Sequence, residues 1–281
     1  MRLLFASPLL ALAAPALAQT PPTPPDAFIT GGDSITIGAG AVFLPDYEGS
    51  DDYQITPAPG AIGSIDGHNF QLAGNRFSFD LIPNKPGPGL DVQLGPIGVL
   101  NLNRSRAAGI DDPRVRALGG RGAGIELGGF VGLGRTGVIT SEYDRLSVSL
   151  SVRHDVAGAH GSTIWQPTVN YTTPLSRKAL VGLFVSAERA GQGYADAYFT
   201  VRPDQVAASG LPAFRARAGW KNYTIGALGA VALTGDLLRG WKLVGGGTYN
   251  RMLGDFRASP VVSIAGKTAP WFGVLGVAYT F

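Results

Sequence analysis

The chain contains no cysteine, and only 15% of its 281 residues are charged. Without cysteine, the protein has neither a disulfide framework nor a lipid-modified N-terminal cysteine. The formal net charge of +3 is too small to indicate a partner of either sign, and no basic stripe with interleaved aromatic residues indicates nucleic-acid binding. The low charge and an apolar fraction of 45% are untypical of a disordered chain and of a cytosolic enzyme.

The sequence also lacks a membrane-spanning helix after residue 18, because no apolar run there reaches about 18 residues. The first residues are typical of an export signal, with a basic start, an apolar core and the small-residue cleavage site "APALA" ending at Ala18. An uncleaved anchor is the weaker interpretation, because Pro8 and Pro15 interrupt a short apolar stretch. We expect a signal peptide over residues 1–18 and a Pro-rich periplasmic lead over 19–33.

What the sequence does contain is a repeated alternation of apolar residues with small or polar residues. A period of two is typical of β-strands with two different faces. In one segment Leu146, Val148 and Leu150 alternate with Ser147 and Ser149. The clearest segments are 34–44, 146–154, 163–172, 179–188, 222–234, 241–252 and 269–281. Weaker ones cover about 54–64, 68–80, 90–101, 121–133 and 195–202.

Several features favour a membrane barrel over a soluble sandwich. Many segments run for about ten residues, the length that a tilted strand needs to cross a bilayer. Their less apolar face carries Gly, Ser, Thr and Ala, charges collect in the connections, and aromatic residues cluster near segment ends. Because an open sheet edge is not tolerated in lipid, the sheet must close. We predict an all-β fold, a closed antiparallel transmembrane β-barrel of twelve strands over residues 34–281 in one domain. Ten strands is the alternative, if 195–202 flanks a long loop.

The C-terminal segment is the last strand of this predicted barrel. Val277, Tyr279 and Phe281 fall on one face, and the chain ends on an aromatic residue. An alternating final strand that ends in Phe fits the signal by which the barrel assembly machinery recognises its substrates. We therefore expect that machinery and outer-membrane lipid as partners, and the outer membrane of a Gram-negative bacterium as the location.

Several short motifs resemble the family of outer-membrane proteins named after the MltA-interacting protein (MipA) and OmpV. Within "LPDYEGSDDYQITPAPG" the matching residues are Pro45, Tyr47, Gly49, Ser50, Asp52, Tyr53, Pro57 and Pro59. Within "SGLPAF" they are Ser209, Gly210, Leu211 and Pro212. Further matches are "TPLSR" at 173–177, "LGD" at 253–255, "SP" at 259–260 and the terminal "WFGVLGVAYTF".

The resemblance implies a non-enzymatic outer-membrane barrel. The founding member is thought to be a scaffold that joins a murein-degrading lytic transglycosylase to a bifunctional murein synthase, and other members are linked to adhesion, osmotic response or antibiotic uptake. We expect the motif residues to have a structural or docking role, and turns such as 173–178 and 235–240 to face a partner. A narrow pore for passive uptake of small solutes and a surface adhesin are the alternative functions.

Other candidate sites are weak. Ser151, His154 and Asp155 lie close in sequence, but on a strand Ser151 and His154 point to opposite faces, which argues against a nucleophile–base pair. His154 and His160 lack the carboxylate ligands of a metal site. We predict no catalytic, cofactor or metal site.

Two further groups have open interpretations. The segment 46–53 could hold a cation or dock a partner, or could be a polar loop whose Tyr rings anchor the membrane interface. Several charged residues could line a lumen or pair near its rim: Arg153, Glu188, Arg189, Arg215 and Arg217.

Overall fold

Twelve antiparallel strands form the wall of the protein. The computed structural model describes residues 33–84 and 89–281, so the predicted signal peptide and nearly all of the Pro-rich lead lie outside the described residues. The strands are β1 Ser34–Pro45, β2 Tyr53–Ile65, β3 His68–Ala73, β4 Arg76–Phe79, β5 Leu90–Asn101, β6 Gly124–Thr136, β7 Arg145–Asp155, β8 Thr163–Ser176, β9 Ala179–Ala190, β10 Gly219–Ala232, β11 Gly240–Met252 and β12 Trp271–Thr280.

Each strand pairs with its neighbours in sequence, and β1 also pairs with β12, which closes the barrel. At the seam, Ala39 lies opposite Pro59 of β2 on one side and Val277 of β12 on the other. Thr36 lies opposite Thr280, so the barrel begins and ends at the same rim. The predicted closed antiparallel barrel of twelve strands is confirmed, and the alternative of ten strands is wrong.

The predicted count of twelve is nevertheless correct only because two errors in the predicted segments cancel. The predicted strand 68–80 is two strands, because Gly74, with φ of +57°, permits a two-residue hairpin turn between β3 and β4. The predicted strand 195–202 is not a strand but overlaps the helix Gln192–Tyr198. Tyr194 and Tyr198 lie four residues apart and are both buried, which is the spacing of one helix face.

The β3–β4 hairpin is short, so residues 53–59 of β2 pair with β1 alone. The backbone amide of Gly74 donates to the carbonyl of Pro59, so the nitrogen of Pro59 faces this unpaired edge. Pro57, two residues earlier, faces the same edge. Proline has no N–H to leave unpaired, which explains why two prolines occur where the strand has no neighbour.

The outer and inner faces largely follow the sequence alternation. Ile37, Phe43 and Val148 are exposed on the outer face, whereas Ser147 and Ser151 are buried inside. The expectation that the inner face carries Gly, Ser, Thr and Ala does not hold for part of the wall. Val42, Leu44 and Phe272 also point inward and pack together, so one side of the lumen is apolar.

The two ends of the barrel differ in size. One end carries the termini of the barrel and connections of at most ten residues, and we call it the turn end. The other end carries the connections 46–52, 102–123, 156–162, 191–218 and 253–270, three of which have 18 or more residues, and we call these five connections the loop cap. The loop cap contains the helices α1 Pro113–Arg116, α2 Gln192–Tyr198, α3 Val206–Ser209, α4 Gly254–Ala258 and α5 Pro260–Ser263, and the 3₁₀ helices Ala107–Gly109 and Pro203–Gln205. Within the described residues, no helix is long and apolar enough to cross a membrane.

Candidate functional site

The motif "DYEGSDDY" folds inward over the loop end of the barrel. Tyr47 has no accessible surface, and its hydroxyl donates to the carbonyl of Ala265, with a longer contact to the carbonyl of Val261 at 3.3 Å. The interpretation of Tyr47 as a ring that anchors the membrane interface is therefore wrong. The adjacent Glu48 reaches into the lumen and contacts Lys221 at 2.6 Å.

The second motif, "SGLPAF", meets the first in the same buried cluster. Leu211 has no accessible surface and belongs to a cluster with Tyr47, Val261 and Ala265. Ser209 ends α3, and its hydroxyl donates to the carbonyl of Gln205 at 2.7 Å. Gly210 follows with φ of +70°, a left-handed conformation that glycine adopts at helix ends, and Pro212 is exposed.

The remaining residues of the first motif shape its entry and exit. Pro45 ends β1, and Gly49 has φ of +91° in the turn, a value that disfavours other residues. Ser50 is fully buried, and its hydroxyl accepts from the backbone amide of Asp52 at 3.1 Å. Tyr53 opens β2 and stacks on Phe43, with ring centroids 4.6 Å apart.

A chain of buried ion pairs lies directly below the loop cap. Arg153 on β7 contacts Glu126 on β6 and Glu188 on β9, each with an N–O distance of 2.5 Å. Lys221 on β10 contacts Glu188 at 2.5 Å and Glu48 at 2.6 Å. We call these five residues the ion-pair chain. Arg153 and Glu188 therefore both line the lumen and pair with each other.

Neutral polar groups complete the hydrogen bonding of this chain. Asn101 Nδ2 donates to Glu126 Oε1 at 2.7 Å, and His160 Nε2 lies 3.2 Å from the same oxygen. Arg153 donates to Gln166 Oε1 at 2.8 Å. Buried charges are tolerated when their remaining hydrogen-bonding capacity is satisfied, so this arrangement is suited to fixing five elements together.

Tyr194 of α2 connects the ion-pair chain to the loop cap. Its hydroxyl donates to Glu48 Oε2 at 2.7 Å, and the Lys221 ammonium lies 4.6 Å from the centre of its ring. Burial, together with the negative charge of Glu48, raises the pKa of Tyr194 well above its ordinary value. The phenol therefore stays neutral and donates. Burial likewise raises the pKa values of Asp46 and Tyr47.

The histidines do not assemble a catalytic pair. Ser151 points into the lumen, whereas His154 is exposed on the outer face and contacts Thr163 at 2.9 Å. His160 lies in the loop cap against Tyr194, with ring centroids 4.9 Å apart. Among the residues that the structure describes, no three metal-ligating side chains come together.

The other charged candidates lie away from the lumen. Arg189 is exposed on β9, and Arg215 is exposed in the loop cap. Arg217 Nε donates to Asp255 Oδ2 at 2.8 Å, which connects the 191–218 loop to α4. The interpretation that Arg215 and Arg217 line the lumen is therefore wrong.

At the turn end, the two turns singled out in the sequence lie against each other. The backbone amide of Leu237 donates to the carbonyl of Arg177 at 3.0 Å, and the Arg177 guanidinium is 3.9 Å from Asp236. Leu175 and Leu238 are exposed beside them. We call the exposed residues of this surface, Leu175, Arg177, Lys178, Leu238 and Arg239, the turn-end patch.

The sequence matches the family model for the MltA-interacting protein MipA over residues 37–281, which is nearly the whole chain. The chain belongs to the MipA family. No curated protein matches its sequence.

Among solved structures, the MipA-family chain is similar to two toluene transporters and a FadL homologue. For TbuX of Ralstonia pickettii the identity is 10%, 89% of each chain is covered and the TM-score is 0.31. For TodX of Pseudomonas putida the identity is 10%, coverage is 95% of this chain and 91% of that chain, and the TM-score is 0.35. For the Pseudomonas aeruginosa FadL homologue the values are 9%, 89% of each chain and 0.32. At these TM-scores the similarity carries no inference about function.

In this MipA-family barrel the predicted assembly signal lies on the outer face of β12. Val277 is exposed, and Tyr279 contacts both Trp241 and Phe281, with ring centroids 5.2 and 4.8 Å apart. Phe281 is itself 64% exposed at the rim. The structure thus leaves these side chains accessible, and their role in assembly stays a prediction.

The sequence analysis named Arg153 and Glu188 as residues that could line the lumen or pair, but it did not name Glu126, Lys221 or Glu48 as their partners, and it expected charges to collect in the connections. That expectation is wrong for Glu126, Arg153, Glu188 and Lys221, which lie within strands. The available signal was the presence of charged residues on the inward face of each of four apolar strands. The partner in the loop, Glu48, gives no such signal, because only folding brings it to Lys221.

Proposed function

We propose that this chain is an outer-membrane protein of a Gram-negative bacterium that acts without catalysis, as a docking scaffold for murein enzymes. The observation that carries the proposal is the closure of the loop end by the loop cap and the ion-pair chain. Arg153 is 2% exposed and Tyr47 has no accessible surface, so this end is packed like a protein core. The exposed surface suited to a periplasmic partner is then the turn end.

The turn-end patch has the composition of a recognition surface. It combines exposed leucines with Arg177, Lys178 and Arg239, and Arg177 is 92% exposed. Its two turns are held together by the bond between Leu237 and Arg177, so the patch is presented by paired strands. The family description names MltA as an interacting protein, which supports a lytic transglycosylase as one occupant. A bifunctional murein synthase is the second expected partner.

A charge-reversal experiment tests this proposal. The chain in lipid nanodiscs is titrated with a purified lytic transglycosylase of the MltA type, and in parallel with a bifunctional murein synthase. Replacing Arg177, Lys178 and Arg239 with Glu is expected to weaken binding at least tenfold. The matched control replaces two arginines and one lysine exposed in the loop cap, Arg215, Arg257 and Lys267, with Glu and is expected to leave binding unchanged.

The opposite pattern contradicts the proposal: binding that survives the turn-end replacements, or that is lost with the loop-cap replacements. Conductance in a planar bilayer addresses the competing pore function. Because buried side chains cross the lumen below the cap, we expect no steady open state. A stable open conductance would contradict the scaffold role and support a narrow pore.

A further inference from the structure

The lumen contains an apolar cavity of about 160 Å³ beside the seam of the barrel. Its inward-pointing lining includes Val42, Ala58, Ile62, Val244, Phe272 and Val274. The lining extends on β1 from Thr36 to Val42, which are six residue steps apart, or roughly 20 Å at about 3.3 Å per residue. A cavity that is long for its volume is narrow, and this shape suits a single unbranched alkyl chain. Apolar cavities of about this size exclude water and bind apolar ligands.

A single cation lies at the turn end of this cavity. Lys242 has no accessible surface, and its ammonium donates to Thr280 Oγ1 and lies 3.5 Å from the carbonyl of Gly240. Thr280 Oγ1 is in turn 2.6 Å from Thr36 Oγ1. Both hydroxyls and the ammonium lie at the same end of the apolar walls, because Thr36 and Lys242 both line the cavity.

Lys242 differs from the other buried lumenal lysine in having no carboxylate at ion-pair distance, although the charge of Asp236 in the 235–240 turn acts on it from farther away. Lys221 contacts two carboxylates, whereas no carboxylate of the described residues lies within 4 Å of Lys242. An ammonium has three donors and its burial is costly unless it is paired. The two threonine hydroxyls provide polar contacts but no negative charge. The missing component is therefore an anion, and the space next to the ammonium is apolar.

We propose that this cavity binds a linear aliphatic monocarboxylate. The carboxylate accepts from the Lys242 ammonium and from the one hydroxyl of the Thr36–Thr280 pair whose proton is not used between the two threonines, and the alkyl chain extends between the apolar walls toward Phe272. The inference goes beyond the docking role, because it concerns the lumen and does not use the turn-end patch. Only an amphiphile with an anionic head satisfies both the lysine and the walls.

Calorimetric titration of the chain in lipid nanodiscs tests the site, with empty nanodiscs subtracted to remove partitioning into lipid. Decanoate is expected to bind saturably at one site per barrel. Decyltrimethylammonium, which has the same chain and the opposite charge, is expected to bind at least tenfold more weakly. Because this comparison uses the unaltered protein, it does not depend on whether any variant folds.

Two variants locate the site. Lys242→Met is expected to weaken decanoate binding at least tenfold and to change 1-decanol binding by less than twofold. Lys267→Met, at an exposed position in the loop cap, is expected to change the binding of neither ligand. Ala58→Phe places a large side chain of β2 in the cavity and is expected to abolish the binding of both ligands. The heat-dependent shift in SDS electrophoresis reports that each variant is folded.

The proposal is overturned if the unaltered chain shows no saturable decanoate site, or if it binds the cationic amphiphile as tightly as the anionic one. It is also overturned if folded Lys242→Met retains full affinity for decanoate, or if folded Ala58→Phe does. In those cases decanoate binds elsewhere on the barrel and Lys242 is a structural residue.

Discussion

At the scale of single residues, Arg153 holds a central position in the ion-pair chain. Its guanidinium contacts Glu126 and Glu188 and also donates to Gln166, and it is almost completely buried. Replacing Arg153 and both glutamates with apolar residues would remove all the buried charges, whereas replacing Arg153 alone leaves the glutamates charged and buried. Removal leaves two buried carboxylates, and Glu126 then has no Arg or Lys side chain within 4 Å among the described residues.

We expect Arg153→Met to lower the free energy of unfolding by about 3–5 kcal/mol, the usual cost of leaving a buried charge without its partner. Guanidinium titration of the barrel refolded in lipid vesicles measures this change. Arg189→Met, an exposed arginine on the neighbouring strand, is the matched control and is expected to have little effect. Equal stability of the two variants would show that the ion-pair chain contributes nothing.

A second prediction concerns Asp144 in the turn after β6. Burial raises the pKa of its carboxyl, but hydrogen bonds from the backbone amides of Thr140, Val138 and Ile139 outweigh burial and lower it below the ordinary value. Because the folded pKa is below the unfolded one, the stabilisation is complete above pH about 4 and is lost as the pH falls through the folded pKa.

Amide exchange of residues 138–141, expressed as protection factors, measures this effect. We expect constant protection between pH 7 and about 4 and a decline below that range. Asp144→Asn is expected to show lower protection at pH 7 and a flat profile at low pH, whereas Asp51→Asn, at an exposed loop position, keeps the profile of the unaltered protein. A flat profile in the unaltered protein would refute the assignment.

At the scale of elements, the loop cap is a small core built from segments far apart in sequence. Tyr47, Leu211 and Val261 come from three different connections and are each inaccessible to solvent. Each of the two family motifs therefore contributes a buried residue, Tyr47 or Leu211, to the same cluster. The motif residues thus have structural contacts, and a docking role for them stays a prediction.

We expect Tyr47→Phe to loosen the cap without opening the barrel. The substitution removes the donor to the carbonyls of Ala265 and Val261, and a lost bond to buried acceptors costs about 1–3 kcal/mol. Hydrogen exchange is expected to rise in 253–270 and to stay unchanged in the strands. Tyr143→Phe, at an exposed tyrosine of the turn end, is the control. Equal exchange in both variants would contradict this role.

The strands themselves show how far sequence patterns reach. The alternation in 34–44, 90–101 and 146–154 places strands correctly to within one residue, because the lipid-facing positions must be apolar along the whole span. The pattern in 68–80 has period two on both sides of Gly74, but its phase changes there, because Phe70 and Leu72 share a face with Phe79 and Phe77. The sequence analysis did not use this change of phase and missed the turn. The pattern in 195–202 covers the end of helix α2 and the residues after it, so a short alternation alone did not identify a strand there.

At the scale of the whole molecule, the barrel has two unlike ends and an outer face for lipid. The C-terminal strand belongs to that outer face, and Phe281 ends it at the turn-end rim, where its ring contacts Tyr279. Its exposure means that it adds little to the packed interior. Its contribution is therefore expected in assembly and not in stability.

We expect Phe281→Ala to reduce the yield of folded barrel in cells several-fold, while the barrels that do form keep their thermal stability. Phe77→Ala, another exposed phenylalanine on the outer face, is the control and is expected to assemble normally. Yield is measured as the fraction with shifted mobility in unheated SDS electrophoresis. A loss of thermal stability in Phe281→Ala would indicate a packing role instead.

The sequence by itself determined the strand type, the outward-facing residues and the closure, because each follows from local alternation and from the exclusion of open edges from lipid. It also carried the family motifs, which lie within short stretches of chain. Only the tertiary structure decided the rest. Three contacts join residues distant in sequence: the hydrogen bond between Tyr47 and Ala265, the ion pair between Glu48 and Lys221, and the hydrogen bond between Lys242 and Thr280. Such contacts leave no periodic pattern in the sequence, because they depend on which loops fold inward over a closed barrel.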